Sequence, residues 1–398
     1  MGESALRICQ VASELAPFAK TGGLGDVTAG LSRALGKAGH DVRIFPPFYA
    51  RIAKMKHDFV AVDFLRDFEI TLGARKFTVS VLTTKLPQSD VDVYLVHCPA
   101  LYHHDSIYSG EWDEYLRYAL LTRAALDSCQ RMGWAPDVVH AHDWHTALAP
   151  IYLRTVYSWD RLFASTRTVL TLHNLAYQGV YSSQILDDLG LAPFSAMLYN
   201  EDLSQGRVSF LKTGLLYADV LTTVSRTYAR EIQTAEFGFG LDSLLRARAD
   251  HLVGIVNGVD YGEWNPEVDP YIPHRFSPDG LEGKAAMKKA LLEKVALPWG
   301  KNAPVVGLVS ASRRRRGSTC CSTPCRSSST TAISDSSRWG AARSATSRSS
   351  RGCRSPSPAR PGTSAATAKS WRTGSKPDRT CSSCHRGSSR AVSTRCTA

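Results

Sequence analysis

Four short stretches of this chain carry residue types that bind phosphate or sugar, and each follows an apolar run. The first is Lys20-Thr21-Gly22-Gly23-Leu24-Gly25-Asp26. Glycines let a backbone approach a ligand closely, and the free N–H groups of a helix start favour an anion. Lys20 adds a compact positive charge, which suits a diphosphate. A glycine-rich turn is by itself as often a tight connection as a phosphate site. The string is neither a Walker loop nor G-x-G-x-x-G. The second stretch is Val139-His140-Ala141-His142-Asp143-Trp144-His145, where three histidines and an aspartate fall within six residues. That density invites a metal reading. On a strand, however, His140 and His142 share a face while Asp143 points to the other, and no second cluster completes a shell. We expect no metal here. A polar strand end for sugar hydroxyls fits better, with Trp144 offering an apolar face to a sugar ring.

The third stretch is Leu172-His173-Asn174-Leu175-Ala176-Tyr177-Gln178-Gly179. A lone histidine after a strand is usually satisfied by a backbone carbonyl, but His173 lies level with the two earlier stretches. The fourth, Ile255-Val256-Asn257-Gly258-Val259-Asp260, reads equally as a turn, since Asn-Gly is a strong turn signal.

The elements that must position these residues alternate short β-branched runs with amphipathic stretches, which predicts an α/β fold. Strands are expected over 6–12, 41–45, 91–97, 137–141, 168–173, 219–224 and 252–257, with a hairpin over 68–86 turning at Leu72-Gly73-Ala74. A helix is expected over 24–39, with Val27, Leu31, Leu35 and Ala38 on one face and Gly39 as its C-cap. Others are expected over 114–132, 228–234 and 284–295, and a buried strand over 303–310. Polar residues end five of the strands: Ser13-Glu14, His142-Asp143, His173-Asn174, Ser225 and Asn257-Gly258. In an open parallel sheet, ligands bind beyond the strand C-termini, so these ends predict one cleft.

Composition divides the chain in two. Residues 311–398 hold 18 of the 48 Lys and Arg, against only Asp335 and Asp378, so they carry +16 and residues 1–310 carry −4. The net +12 is therefore no sign of nucleic-acid binding by the ordered part. Seven of the ten cysteines lie in the same tail; Cys9, Cys98 and Cys129 read as reduced thiols. No apolar run approaches the roughly 20 residues of a membrane span, and nothing resembles a signal peptide, so a cytoplasmic protein without membrane partners is expected.

In order, KTGGLGDV, HDWH, HNLAYQG and NGVD resemble the landmarks of bacterial glycogen synthases and plant starch synthases, with the resemblance running over 7–310. It implies a GT-B glycosyltransferase: an N-terminal doubly wound Rossmann-like domain over 1–260, then a linker and the start of a second Rossmann-like domain over 261–310. It implies retaining transfer of glucose from ADP-glucose to the non-reducing end of an α-1,4-glucan, with no cofactor. Catalytic roles then fall on His173, Asp143 and Glu14, with His173 stabilising the reacting glucose or its departing diphosphate. Lys20, Gly22, Gly23, Asp26 and Asn257 meet the nucleotide-sugar, and His142 and Trp144 also line the cleft.

The family pattern breaks after Ser310. The expected S-R-x-x-x-Q-K-G and E-P-C-G-L-x-Q are absent, and 311–398 contains 23 Ser but no Leu, Phe, Met or Tyr. Such a segment buries too little apolar area to order itself. When codons are taken one base out of register, residues 380–397 are compatible with L-L-L-M-P-S-R-F-E-P-C-G-L-N-Q-M-Y, which restores the second motif. A frameshift near Ser310, leaving a catalytically incomplete chain, is therefore expected. The alternatives are a genuine basic tail, a glucan-binding remnant without turnover, and a UDP-glucose-using relative.

Overall fold

The first apolar run becomes β1 (Arg7–Val11), and the sheet grows from it in both directions. In this computed structural model, residues 4–104, 106–262, 264–300, 304–305, 307–308 and 331–332 are described. The chain divides into two compact units, Met1–Met287 and Lys288–Ala398. To one side of β1 lie β2 (Asp41–Phe45), parallel to β1, and β6 (Asp92–His97), parallel to β2 and antiparallel to the strand beyond it. To the other lie β7 (Val138–His142), β8 (Arg167–Leu172), β11 (Val220–Thr223) and β12 (Leu252–Gly254), parallel throughout. Short strands β3 (Val60–Ala61) and β4 (Phe68–Leu72) pair antiparallel with β5 (Arg75–Lys85), and β5 in turn pairs with β6. A separate two-stranded ribbon joins β9 (Val180–Ser182) and β10 (Arg207–Ser209). The strand order is β12-β11-β8-β7-β1-β2-β6-β5-β3, so the winding direction reverses between β1 and β7. At such a reversal the flanking connections diverge and leave a crevice beyond the strand ends.

The hairpin turns where the sequence predicted. Leu72 pairs with Arg75 across Gly73-Ala74, and Gly73 takes a φ of 60°, which only glycine adopts without strain. The helix Gly23–Lys37 ends in a Schellman arrangement: the N–H of His40 reaches the carbonyl of Leu35, that of Gly39 reaches Gly36, and Gly39 has φ 93°. Its orientation differs from the expected one. Leu24, Gly25, Thr28, Ala29 and Ser32 are buried, whereas Val27 and Leu31 look into an open cavity of about 1260 Å3 and Ala38 is exposed. Small residues face the sheet because the helix must approach the Lys20 turn closely, as Gly25 demonstrates below.

The other side of the sheet is densely packed. Helix Glu114–Arg131 is buried nearly all round, with Tyr115, Leu116, Tyr118, Leu120 and Leu121 in the core. Val139, Ala141, Leu170, Leu172 and Leu221 point into this layer, while their alternating neighbours His140, Val169, Thr171 and Thr222 line the cavity.

In the second unit, Gly307–Leu308 pairs in parallel with Thr331–Ala332. The expected strand over 303–310 is described there only in part, and the expectation of disorder over 311–398 otherwise lies outside the described residues. The helix expected over 284–295 is Glu282–Lys294. Among the described residues, no helix is long and apolar enough to cross a membrane.

Candidate active site

Glu14, just beyond β1, is 2% exposed, and donors surround its carboxylate. Oε2 accepts from the backbone N–H of Thr21 (2.7 Å) and of Gly22 (3.2 Å). Oε1 accepts from the Thr21 hydroxyl (2.7 Å) and from the Tyr108 hydroxyl (2.5 Å). A buried carboxylate with this many donors is fully compensated and rigidly placed. It ties the end of β1 to the glycine turn. Lys20 Nζ sits 2.7 Å from Asp26 Oδ1, both side chains partly exposed, so its charge is held beside the helix start. No side chain caps that helix at Gly22. The glycines of the turn serve different ends. A Cβ on Gly25 would lie 2.8 Å from the Cβ of Lys20 and 3.4 Å from the backbone of Ala16 and Ala19, whereas Gly22 and Gly23 face open space. What glycine preserves at 22 and 23 is access to the backbone.

Asp143 opens the short helix Asp143–Thr146 with φ 54°, an uncommon backbone conformation for a residue other than glycine. Its Oδ1 accepts from the N–H groups of His173 (2.7 Å) and Asn174 (3.2 Å), which locks the end of β7 to the end of β8. Burial pushes its carboxyl up to about 7, against the pull of those two donors. His173 Nε2 lies 3.1 Å from His142 Nδ1, and His142 Nε2 lies 2.7 Å from Gln10 Oε1. His140 stacks on His142 at 4.3 Å and bonds the Thr171 hydroxyl (2.6 Å), which in turn bonds Thr222 (2.6 Å). Burial lowers the pKa of His173 to about 4 and of His140 to about 3, and takes His142 well below the ordinary histidine value. At neutral pH the row is uncharged. His140 and His142 share a face of β7, and Asp143 lies beyond the end of the strand. Among the described residues no group of three or more His, Cys, Asp or Glu side chains is arranged to hold a metal.

One expectation fails. Trp144 is 6% exposed and packs against Tyr118, Tyr181 and Phe210, so its ring offers no face to a sugar. Its place is in the core, and it explains Gly179: a Cβ there would sit 2.3 Å from the Trp144 ring. The glycine of HNLAYQG thus fits against the tryptophan of HDWH. Ser225, read as a polar strand end, accepts the Tyr228 N–H and caps the helix Arg226–Glu231. Asn257 lines the same cavity as Asp26 and His142. Sequence reasoning missed Tyr108 and Gln10. Tyr108 lies in a loop with no motif around it. Gln10 lies inside β1, where its spacing of four from Glu14 gives no signal that it faces a histidine on β7.

A family model described as the starch synthase catalytic domain matches residues 7–247. The chain belongs to this family. It is 40% identical over 322 residues to the glycogen synthase of Geotalea daltonii and 41% identical over 316 residues to that of Koribacter versatilis, each alignment covering 78% of this chain and 64% of the relative. Among solved structures it resembles the catalytic domain of starch synthase IV from Arabidopsis thaliana bound to ADP and acarbose, with a TM-score of 0.72 and 33% identity over 80% of this chain and 65% of that one. The chain therefore spans just under two thirds of the length of the glycogen synthases it matches. Its doubly wound sheet is the Rossmann-like fold of the starch synthase catalytic domain, the GT-B arrangement.

Proposed function

We propose that this chain derives from an ADP-glucose-dependent glucosyltransferase that extends an α-1,4-glucan with retention, as in glycogen synthesis. The observation that carries this reading is the glycine turn. Glu14 holds it so that the open backbone of Gly22 and Gly23, the uncapped helix start and Lys20 stand together beyond the C-terminal end of β1, beside the ends of β7 and β8 that bear Asp143 and His173. A diphosphate there would meet N–H donors and one ammonium, and binding it requires Lys20 to exchange its bond with Asp26 for one with phosphate. Asp26 and Asn257 complete the nucleotide-sugar side, and His173 meets the glucose. Glu14, both of whose oxygens accept from backbone N–H or hydroxyl groups, and Asp143, whose Oδ1 accepts two backbone N–H groups, act by positioning rather than by proton transfer. The neighbour's bound ADP and acarbose support a nucleotide and a glucan-like ligand as partners. Neither a metal, a cofactor, a nucleic acid nor a membrane enters this reading, and a charged nucleotide-sugar that does not cross membranes unaided is in keeping with a cytoplasmic reaction.

Neutralising the leaving diphosphate takes charges from both halves of a two-domain cleft, and losing one transition-state donor elsewhere costs roughly 100- to 1,000-fold in rate. We propose that residues after Ser310 are read out of frame, so that the second set of charges is missing. Resequencing the DNA between the codons for Gly307 and Gly317 tests the frame directly. The functional test is labelled ADP-glucose with glycogen, comparing this chain with a frame-restored one at equal soluble concentration. Only the restored chain should incorporate label; incorporation by the present chain within tenfold would overturn the incompleteness. Glycogen binding by both chains with transfer by neither would favour a binding remnant, and a preference of the restored chain for UDP-glucose would change the donor.

A further inference from the structure

The polar contacts behind His173 form a chain with a definite sense. Gln10 and His142 are fully buried, and His142 bridges Gln10 Oε1 to His173 Nε2. An amide oxygen only accepts, so the 2.7 Å contact requires the proton of His142 to sit on Nε2. Burial keeps the ring neutral, which leaves Nδ1 of His142 as a bare acceptor. The 3.1 Å contact to His173 Nε2 then requires the proton of His173 to sit on Nε2 as well. His173 Nδ1, for which no protein partner stands among the described residues, is left as a lone pair. Among the described residues the amide nitrogen of Gln10 is buried without a partner, and the contact with His142 is the one polar bond its side chain makes.

We infer that Gln10 is a positioning residue which, through His142, fixes His173 as the Nε2–H tautomer and so makes its free nitrogen an acceptor for a sugar hydroxyl. This rests on the function proposed above for what His173 meets, and it alters one expectation. A neutral ring with a bare Nδ1 cannot donate to a departing diphosphate; it can only accept a hydroxyl hydrogen from the glucose. Discrimination then follows from geometry, because a ligand whose group at that position carries no hydrogen leaves the lone pair unmatched.

The test is long-range 1H–15N correlation on the full chain labelled at histidine, at pH 7, with the His173 signals assigned by their loss in His173→Gln. The expected result is a protonated Nε2 and a bare Nδ1 on both His142 and His173. Gln10→Met, similar in size and without the oxygen, should release the constraint and give His173 a detectable share of the Nδ1–H form. A protonated Nδ1 on His173 in the unmodified chain overturns the inference, as does a Gln10→Met spectrum identical to the parent at His173. Should Gln10→Met fail to fold, the unmodified chain decides by itself. The readout needs neither donor nor acceptor, so it stands or falls separately from the glucosyltransferase reading.

Discussion

Glu14 illustrates how much one buried carboxylate can organise. Its two oxygens take four donors from three residues, and replacing it with an amide sets an NH2 group against N–H or O–H groups that need an acceptor. Glu14→Gln should therefore destabilise the first unit by about 2 kcal/mol, the usual penalty for unmatched buried donors. Denaturant unfolding with an unchanged slope would report it, and a midpoint equal to the parent's would mean that the turn is held by other contacts. Lys20 is different in kind: half-exposed and paired with Asp26, it contributes little to stability. In a frame-restored chain, Lys20→Ala should raise the KM for ADP-glucose by roughly tenfold, the worth of about 1.4 kcal/mol, with Lys20→Arg milder. An unchanged KM with a lower kcat would move Lys20 from substrate binding to the transition state.

At the scale of elements, the motifs turn out to be joints between neighbouring segments. The helix Gly23–Lys37 approaches the preceding turn so closely that Gly25 leaves no room for a methyl group, while Gly23 at its first position has open space. Gly25→Ala should push the Lys20 turn away and lower stability by 1 kcal/mol or more, on the order of an overpacked site. Gly23→Ala should leave stability unchanged or slightly raised, since alanine is the better helix former, yet weaken nucleotide binding by obstructing the backbone. Thermal melts and ADP titration on the two variants would separate these effects; equal losses of stability would refute the division of labour. Gly179 is a second joint, where φ 58° and the Trp144 ring together exclude any side chain.

For the molecule as a whole, the buried titratable groups set an acid limit. His142 and His145 are buried and neutral, with folded pKa values below the unfolded value near 6.5, that of His145 at about 3. The stability they contribute is complete above that unfolded value and is lost as pH falls, for His145 by about 2 kcal/mol at pH 5. The half-buried His140 and His173 act in the same direction. Asp143 acts oppositely. With its folded pKa raised to about 7, its contribution is complete near pH 4 and is lost as pH rises through 7. Four imidazoles outweigh one carboxyl, so unfolding free energy should fall between pH 7 and pH 5. Asp143→Asn keeps an acceptor for the His173 N–H but removes the opposing group, so its acid loss should be steeper by about 2 kcal/mol. A variant with the parent's pH dependence would show that Asp143 stays ionised.

Much of this was legible in the residues themselves. Short β-branched apolar runs located β1, β2, β6, β7, β8 and β11 to within one or two residues, and Gly73 and Gly39 marked the ends of a hairpin strand and a helix, because these features arise from interactions along the chain. The four motifs fell at strand ends for the same local reason. Tertiary structure alone decided what faces what. Trp144 is of a kind with sugar-stacking surface rings, yet it is buried among Tyr118, Tyr181 and Phe210 with the turn at Gly179 against it. His142, although beside the cavity, is held between Gln10 and His173. Val27 and Leu31 form an apolar stripe by spacing, yet they line the cavity while the smaller side of that helix is buried, where Gly25 packs against the Lys20 turn. Gln10 and Tyr108 carry no local signature. Their partners lie 132 and 94 residues away in sequence, and only the pairing of β1 with β7 and the course of the loop beside it bring an amide to a histidine and a phenol to a carboxylate.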